Sequence, residues 1–171
     1  MKSVVEKLHG GDRRSIGRSG EVALQISANK KLFAQVFAEI LHGDPIVRMR
    51  AADAAEKASA RNHELLQPFK REILKSIAAI PQQEIRWHVA QMIPRLQMTR
   101  AERDHAVSIL LDYLEDKSSI VRTFAMQALA DLAQSDSRLR TRVKPIIEFL
   151  TSTGTPAMRA RGRKLLKILV N

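Results

Sequence analysis

Apolar residues recur at helical spacing in four stretches of the chain, and each stretch is marked by an arginine. Apolar or small residues fall one position before that arginine and three, seven and ten positions after it; in the third stretch they are Val121, Ala125, Leu129 and Leu132. This spacing predicts one buried stripe on a helix in each stretch. The four arginines lie at intervals of 38, 36 and 37 residues, and they are Arg48, Arg86, Arg122 and Arg159. A period of this length is typical of stacked helix pairs, since one pair is too small to bury its own apolar face.

Each of these helices has a predicted start four residues before its arginine. Asp44, Ser118 and Thr155 stand at this place and can accept hydrogen bonds from the free N–H groups of a first helical turn, whereas the second stretch has Gln82 there. No alternating pattern of useful length indicates a strand. We therefore predict an all-α fold.

Each predicted helix also needs a partner helix before it. Apolar periodicity predicts these partners, and a short helix ahead of them, over residues 21–28, 32–42, 69–80, 99–114 and 137–152. Thr99 and Glu102 have the spacing of a capping box at the start of one of them. Pro94 falls inside the second helix of the second pair, and we expect it to kink that helix because it lacks an N–H.

Three of the four repeats carry a more specific signal. Asp44-Pro45-Ile46-Val47-Arg48-x-x-Ala51 resembles the HEAT family of helical repeats, as do residues 118–125 and 155–159. The second repeat departs from the pattern with Pro81-Gln82 in place of Asp-Pro, and residues 44–57 also resemble uncharacterised bacterial HEAT-like proteins. The resemblance covers about residues 32–171. It implies an α-solenoid of about four HEAT-like helix-pair repeats at 32–171. The residues before it are predicted to form a basic, glycine-containing N-terminal segment at 1–31 with one short helix.

Composition limits the classes of protein to which the chain can belong. The chain of 171 residues has no cysteine, which excludes disulfides and thiolate metal sites. Its five histidines lack metal-ligand spacing, and no serine elbow or other catalytic set is evident. No stretch approaches the roughly 20 apolar residues of a membrane span, and the N-terminus has no apolar signal core. We expect a cytoplasmic protein with no cofactor, no metal, no membrane partner and no small-molecule substrate.

Positive charge is concentrated at the C-terminal end. The formal net charge is +11, and residues 138–171 contribute nine Lys or Arg against one acidic residue. Such a surface attracts a polyanion or an acidic protein, although a terminal repeat also needs a polar outer face to stay soluble. The predicted basic patch consists of Arg138, Arg140, Arg142, Lys144, Arg159, Arg161, Arg163, Lys164 and Lys167.

The resemblance also implies a second surface. In HEAT-type solenoids the second helices line the concave face, and there the single tryptophan, Trp87, is a candidate binding hot spot, although it can equally pack between adjacent helices. The ridge residues predicted to bind the partner are Trp87, His88, Gln91, Arg95, Asp53, Gln127 and Asp131, and the predicted ridge also includes Arg50 and Arg161. The leading hypothesis is a non-catalytic scaffold module that binds a protein partner through this concave face. The alternative is a nucleic-acid-binding protein that uses the basic C-terminal repeat.

Three further expectations concern particular residues. Some HEAT-like folds are alkylpurine DNA glycosylases, with a catalytic Asp four residues after a Trp; here Gln91 follows Trp87, so enzymatic activity is a remote alternative. The glycine-rich run at 10–20 can be a phosphate cradle, but it lacks the Walker spacing and is better explained as a docked or flexible segment. By the same resemblance, the repeat arginines are expected to be structural and to pair with acids such as Asp44, Glu84 and Asp116.

Overall fold

A computed structural model describes residues 3–12 and 14–170, and every regular element in these residues is helical, which confirms the predicted all-α class. The helices of this part of the chain are α1 (Ser19–Ser27), α2 (Lys30–His42), α3 (Pro45–Arg61), α4 (Lys70–Glu72), α5 (Gln83–Met92), α6 (Arg100–Tyr113), α7 (Ser119–Ala133), α8 (Ser137–Thr153) and α9 (Pro156–Ile168). They fall into two compact units. The first ends at Gln97 and the second begins at Met98.

The helix starts lie where the capping residues predict them. Asp44, Ser118 and Thr155 are the N-caps of α3, α7 and α9, and each side chain accepts from one or two backbone N–H groups of the first turn. Gln82 precedes α5 without such a bond, and its amide instead donates to the Pro45 carbonyl. The predicted capping box of Thr99 opens α6. All four repeat arginines therefore stand in the first turn of their helices.

The predicted apolar stripes form the core. Every one of their members is buried except Leu166, whose place is taken by its neighbour Leu165 at 1% exposure. The exchange of Leu166 for Leu165 on the buried side corresponds to a small rotation of α9 about its axis. Helix α9 ends at Ile168, one residue before Leu169. The 3.6-residue pattern therefore identified the packed side of each second helix.

Helix α3 is the centre of the first unit. Helices α1, α2 and α5 all pack against it, and small side chains allow this close approach: the alanines at 51, 52, 54, 55 and 58 are all fully buried. Phe33 and Phe37 of α2 add an aromatic cluster with Phe69, whose ring lies 4.3 Å from that of Phe37. Residues of the predicted N-terminal segment thus pack within the first unit, through α1 and a 3₁₀ turn at Glu6–Leu8.

Two predicted helices of the first unit are irregular. The stretch predicted as one helix over 69–80 contains a 3₁₀ turn (Gln67–Phe69), the short α4 and a π turn (Ile73–Ile77). Pro68 has no N–H to donate within that 3₁₀ turn, and the π turn brings Ile73 and Ile77 to the buried side. Pro94 does not kink a continuing helix; α5 ends at Met92 and a 3₁₀ turn (Ile93–Arg95) follows.

In the second unit α7 packs against α6, α8 and α9, and α8 packs closely on α9. Gly162 makes this last contact possible, because a Cβ atom there would lie 2.9 Å from the Cβ of Thr151 and closer still to its hydroxyl. Gly154, between the two helices, has an ordinary φ of −74°. It is required for space, since its Cβ would lie 2.5 Å from the Leu150 carbonyl oxygen.

Candidate binding surfaces

A buried arginine holds the glycine-rich run against α3. The guanidinium of Arg50 donates to the carbonyl oxygens of Leu8 (2.8 Å), Ser15 (3.1 Å) and Asp12 (3.2 Å), and to that of Gly10 as well. Arg50 is 1% exposed although it lies on the predicted polar ridge. The run therefore presents carbonyl oxygens to a cation. A phosphate cradle has the opposite polarity, because it presents N–H groups to an anion.

The conformation of this run requires glycine at two positions. Gly11 and Gly17 have positive φ angles of 77° and 55°, and a Cβ atom on either would lie 3.0–3.1 Å from the Arg50 guanidinium. Only glycine combines this backbone conformation with such close approach. The loop therefore closes around the arginine because these positions lack side chains.

Asp53, a predicted ridge residue, is also covered by the N-terminal segment. It is 7% exposed, and its Oδ2 accepts from Ser19 Oγ of α1 (2.5 Å) and from Lys57 Nζ (2.6 Å). The expectation of an accessible carboxylate is not met here, since α1 lies over this side of α3. The sequence signal for this covering was the Ala-rich character of α3, because a helix with apolar residues on all sides is buried all round.

His88, on α5, is buried beside this carboxylate. Its Nε2 is 3.9 Å from Asp53 Oδ1, and its Nδ1 is buried with no hydrogen-bond partner among the described residues. Burial lowers the pKa of His88 from 6.5 to about 4, and Lys57 and Arg95 act in the same direction while Asp53 opposes them. Desolvation outweighs the distant carboxylate, so His88 is neutral at pH 7.

The remaining ridge residues of the first unit are engaged internally. Trp87 is half-buried, with its ring edge-on to that of His88 at 5.7 Å. Gln91 donates its amide to the Trp87 carbonyl, and Arg95 pairs with Glu56 and donates to the hydroxyl of Ser59. Most hydrogen-bonding capacity on this side is thus used within the unit.

The predicted ridge residues of the second unit form their own chain of contacts. Gln127 donates to Asp131 Oδ1 (2.8 Å) and accepts from Arg161 (2.7 Å), whose guanidinium lies 5.9 Å from the centre of the Phe124 ring. These side chains are half-buried. The structure therefore brings together Gln127, Asp131 and Arg161, and separately Asp53, His88 and Arg95 in the first unit.

The cations of the predicted basic patch are, by contrast, unneutralised. None of the nine forms an ion pair with any residue that the structure describes. Six of them are exposed: Arg138, Arg142, Arg159, Arg163, Lys164 and Lys167. Unpaired, solvated cations at this density create a positive potential that attracts polyanions.

These cations do not form one uniform surface. Arg138 and Arg142 face a groove shared with the start of α6, whereas Arg140 and Lys144 line a second cavity beside Leu169 at the end of α9. On α9, Arg159, Arg163 and Lys167 follow one another at four-residue spacing and so share one stripe of the helix. The sequence grouped all nine by proximity along the chain and could not separate these surfaces.

Two of the four repeat arginines contact the turn before their own helix. Arg159 Nε donates to the Gly154 carbonyl (2.8 Å) and Arg86 Nε to the Ile80 carbonyl (3.4 Å), each in the turn before its own helix. The Nε atoms of Arg48 and Arg122 are buried without a hydrogen-bond partner in the described chain. Among the expected acidic partners, Asp44 accepts from the backbone N–H groups that it caps.

Comparison with known proteins adds no family to these observations: no protein-family description and no curated protein matches the chain. Within residues 3–12 and 14–170, no helix is both long and apolar enough to cross a membrane. The same residues contain no group of three or more His, Asp or Glu side chains placed to hold a metal ion. The candidate surfaces therefore rest on geometry and charge.

Proposed function

We propose that this chain is a HEAT-like helical-repeat protein that acts as a non-catalytic binding module, and that its partner is nucleic acid. The repeat assignment is supported inside each unit, because the arginine-bearing helices pack side by side: α3 against α5, and α7 against α9. Each begins with the same cap-to-arginine spacing. Stacking of equivalent helices is the defining contact of such repeats.

The unpaired cations of α8 and α9 are the observation that supports nucleic acid as the partner. Six exposed basic side chains form no ion pair with the described residues, so none of those pairs must break when they meet phosphate. The ridge residues that suited a protein partner are instead largely satisfied within the fold. This difference moves nucleic acid ahead of the protein partner that the sequence pattern favoured.

A salt series tests this proposal. A fluorescent DNA duplex is titrated with the protein at 50–200 mM salt, and the logarithm of the association constant is plotted against that of the salt concentration. If about five cations each neutralise one phosphate, the slope is about −4.5 and affinity falls about 500-fold over this range. Absence of binding at 50 mM salt, or a slope near zero, would overturn the proposal.

A second candidate function is the binding of a protein partner through the surface around Trp87. The supporting observation is the half-buried indole, which retains exposed area in a setting of polar side chains. Its test is capture of partners from lysate by the wild-type protein and by Trp87→Ala, with Trp87→Phe as the matched aromatic control. Retention of every partner by Trp87→Ala would remove this candidate.

Non-catalytic behaviour is part of the same proposal. The two carboxylates of the predicted ridge are held by internal donors: Asp53 by Ser19 and Lys57, and Asp131 by the amides of Gln127 and Gln134. A carboxylate that is buried under another helix is poorly placed to stabilise a cationic sugar. Release of methylated bases from DNA by the purified protein would contradict this part of the proposal.

A further inference from the structure

The second unit contains a groove at the beginnings of α6 and α8 that is lined in part by four arginines. Its volume is about 570 Å³, and its lining residues are Arg100, Arg103, Asp104, Val107, Asp136, Arg138, Leu139 and Arg142. Two of these arginines, Arg100 and Arg103, lie outside the C-terminal segment in which the sequence concentrates positive charge. The groove therefore extends the basic surface to α6, which lies outside the basic segment at residues 138–171.

Helical spacing explains why these residues meet. On α6, the lining residues at 100, 103, 104 and 107 follow the i, i+3, i+4, i+7 pattern of one helix face, and the Thr99 capping box fixes where that face begins. On α8, Arg138 and Arg142 are one turn apart, after the cap at Asp136. Val107 and Leu139, at 2% and 8% exposure, form an apolar floor between the two rows.

The arginines of the groove have free hydrogen-bonding capacity. Arg103 donates to the Leu132 carbonyl at 3.4 Å, whereas Arg100, Arg138 and Arg142 are exposed and make no hydrogen bond or ion pair with the described residues. Asp136 is occupied as a helix cap, since it accepts from the Leu139 N–H at 3.0 Å. Asp104 is exposed and is the acidic side chain of the groove that is not a helix cap.

We infer that this groove is the principal phosphate-binding site of the protein and holds successive phosphates of a nucleic-acid backbone, which rests on the proposed function. A guanidinium presents a planar fork of N–H donors that matches a phosphate in a bidentate manner, and opposed arginines on two helices offer such forks from both sides. Exposure of Arg100, Arg138 and Arg142 allows a backbone to be bound without rearrangement. The α9 cations then contribute mainly general positive potential.

The test compares two double variants that remove the same charge. Arg100→Ala/Arg138→Ala takes one exposed arginine from each helix, and neither arginine makes a hydrogen bond or ion pair with the described part of the chain. Arg163→Ala/Lys167→Ala removes two exposed cations one turn apart on α9. Duplex affinity is measured for both across a salt series, and thermal melting confirms that both fold as the wild type does.

The groove variant is expected to make the salt slope less steep by about 1.8, because about two phosphate contacts are lost, and to weaken binding about 30-fold at 0.15 M salt. The α9 variant is expected to change the slope by less than half as much. Asp104→Asn removes a negative charge from the groove and should strengthen binding several-fold. Equal effects of the two double variants, or no gain from Asp104→Asn, would overturn the inference while the proposed function stands.

Two other outcomes have separate meanings. If the wild-type protein does not bind duplex at 50 mM salt, the proposed function and this inference fail together. If polyglutamate displaces the duplex as readily as unlabelled DNA of equal charge concentration does, the groove recognises acidic side chains rather than phosphate, and the inference is overturned. The expected result is displacement by DNA at much lower concentration.

Discussion

Replacing Arg50 with methionine is expected to release the N-terminal segment from α3. The substitution keeps a long apolar stem and removes the guanidinium that four backbone carbonyls surround. A hydrogen bond from a charged donor contributes about 1.5–3 kcal/mol, but the four losses do not add, because the released carbonyls can be hydrated once the segment leaves. We therefore expect the free energy of unfolding to fall by about 3 kcal/mol.

Hydrogen exchange measures this effect where it occurs. A loss of about 3 kcal/mol in docking raises the open population of the segment about 150-fold. Exchange of the amides of Leu8 and Ser19, which donate to nearby carbonyls in the docked segment, should accelerate correspondingly, while those amides of α7 that exchange by local opening should not change. Chemical denaturation gives the global free energy for comparison.

Two variants control for the loss of charge and for the change of side chain on α3. Arg50→Lys keeps the positive charge but loses the planar fork, so its effect should lie between those of the wild type and Arg50→Met. Arg61→Met removes an exposed arginine from the end of the same helix and should change stability by less than about 0.5 kcal/mol. If Arg50→Met and Arg61→Met behave alike, the carbonyl cage does not hold the segment.

Two further predictions follow from buried positions. The pKa of His88 is about 4 in the folded protein, against 6.5 for an unperturbed histidine, so the unfolded chain binds the proton first as the pH falls. Stability should be fully present above pH 6.5 and decline towards pH 4 by up to about 3 kcal/mol, and denaturation of His88→Gln should lack this dependence; identical pH profiles for the two proteins would refute the assignment. Gly162→Ala should cost about 1–3 kcal/mol in thermal or chemical denaturation, because its Cβ meets Thr151. Gly20→Ala, in open space on α1, should cost nothing; equal effects of the two glycine substitutions would contradict the packing of α8 on α9.

Local chemistry made the helix starts and buried faces predictable from the sequence. The caps at Asp44, Ser118 and Thr155 depend on side chains within three residues of the groups they satisfy, and the stripes depend only on helical periodicity. The irregular stretch around Ile73–Ile77 was not predictable in this way. Its buried residues Ile73 and Ile77 are four positions apart, a spacing that an α-helix gives as well, so the sequence pattern does not distinguish the two.

The covering of α3 could not be read from neighbouring residues. The Arg50 contacts join residues 35 to 42 positions apart, and an arginine on a polar ridge is ordinarily exposed. Two signals pointed towards the observed arrangement: the alanines on all sides of α3, and the paired glycines at 10 and 11. Neither signal specifies that the loop closes around a side chain of a helix distant in sequence.

The candidate binding surfaces were predictable in charge but not in shape. Counting charges along the chain found the basic segment, since +8 in residues 138–171 is evident from the sequence. The count could not assign Arg100 and Arg103 to the same groove as Arg138, because that depends on how α6 and α8 are placed within the second unit. It also could not foresee that Asp53 would be satisfied internally.

Nuclear magnetic resonance mapping of the duplex-bound protein tests the central claim most directly. The chain of 19.2 kDa is small enough for its backbone amides to be assigned and followed during a titration with DNA. We predict that the shifted amides and arginine side chains lie at the starts of α6 and α8 and along α9, with little change in the first unit. Shifts concentrated around Trp87 and α5, or none at saturating duplex, would contradict a phosphate-binding surface on the second unit.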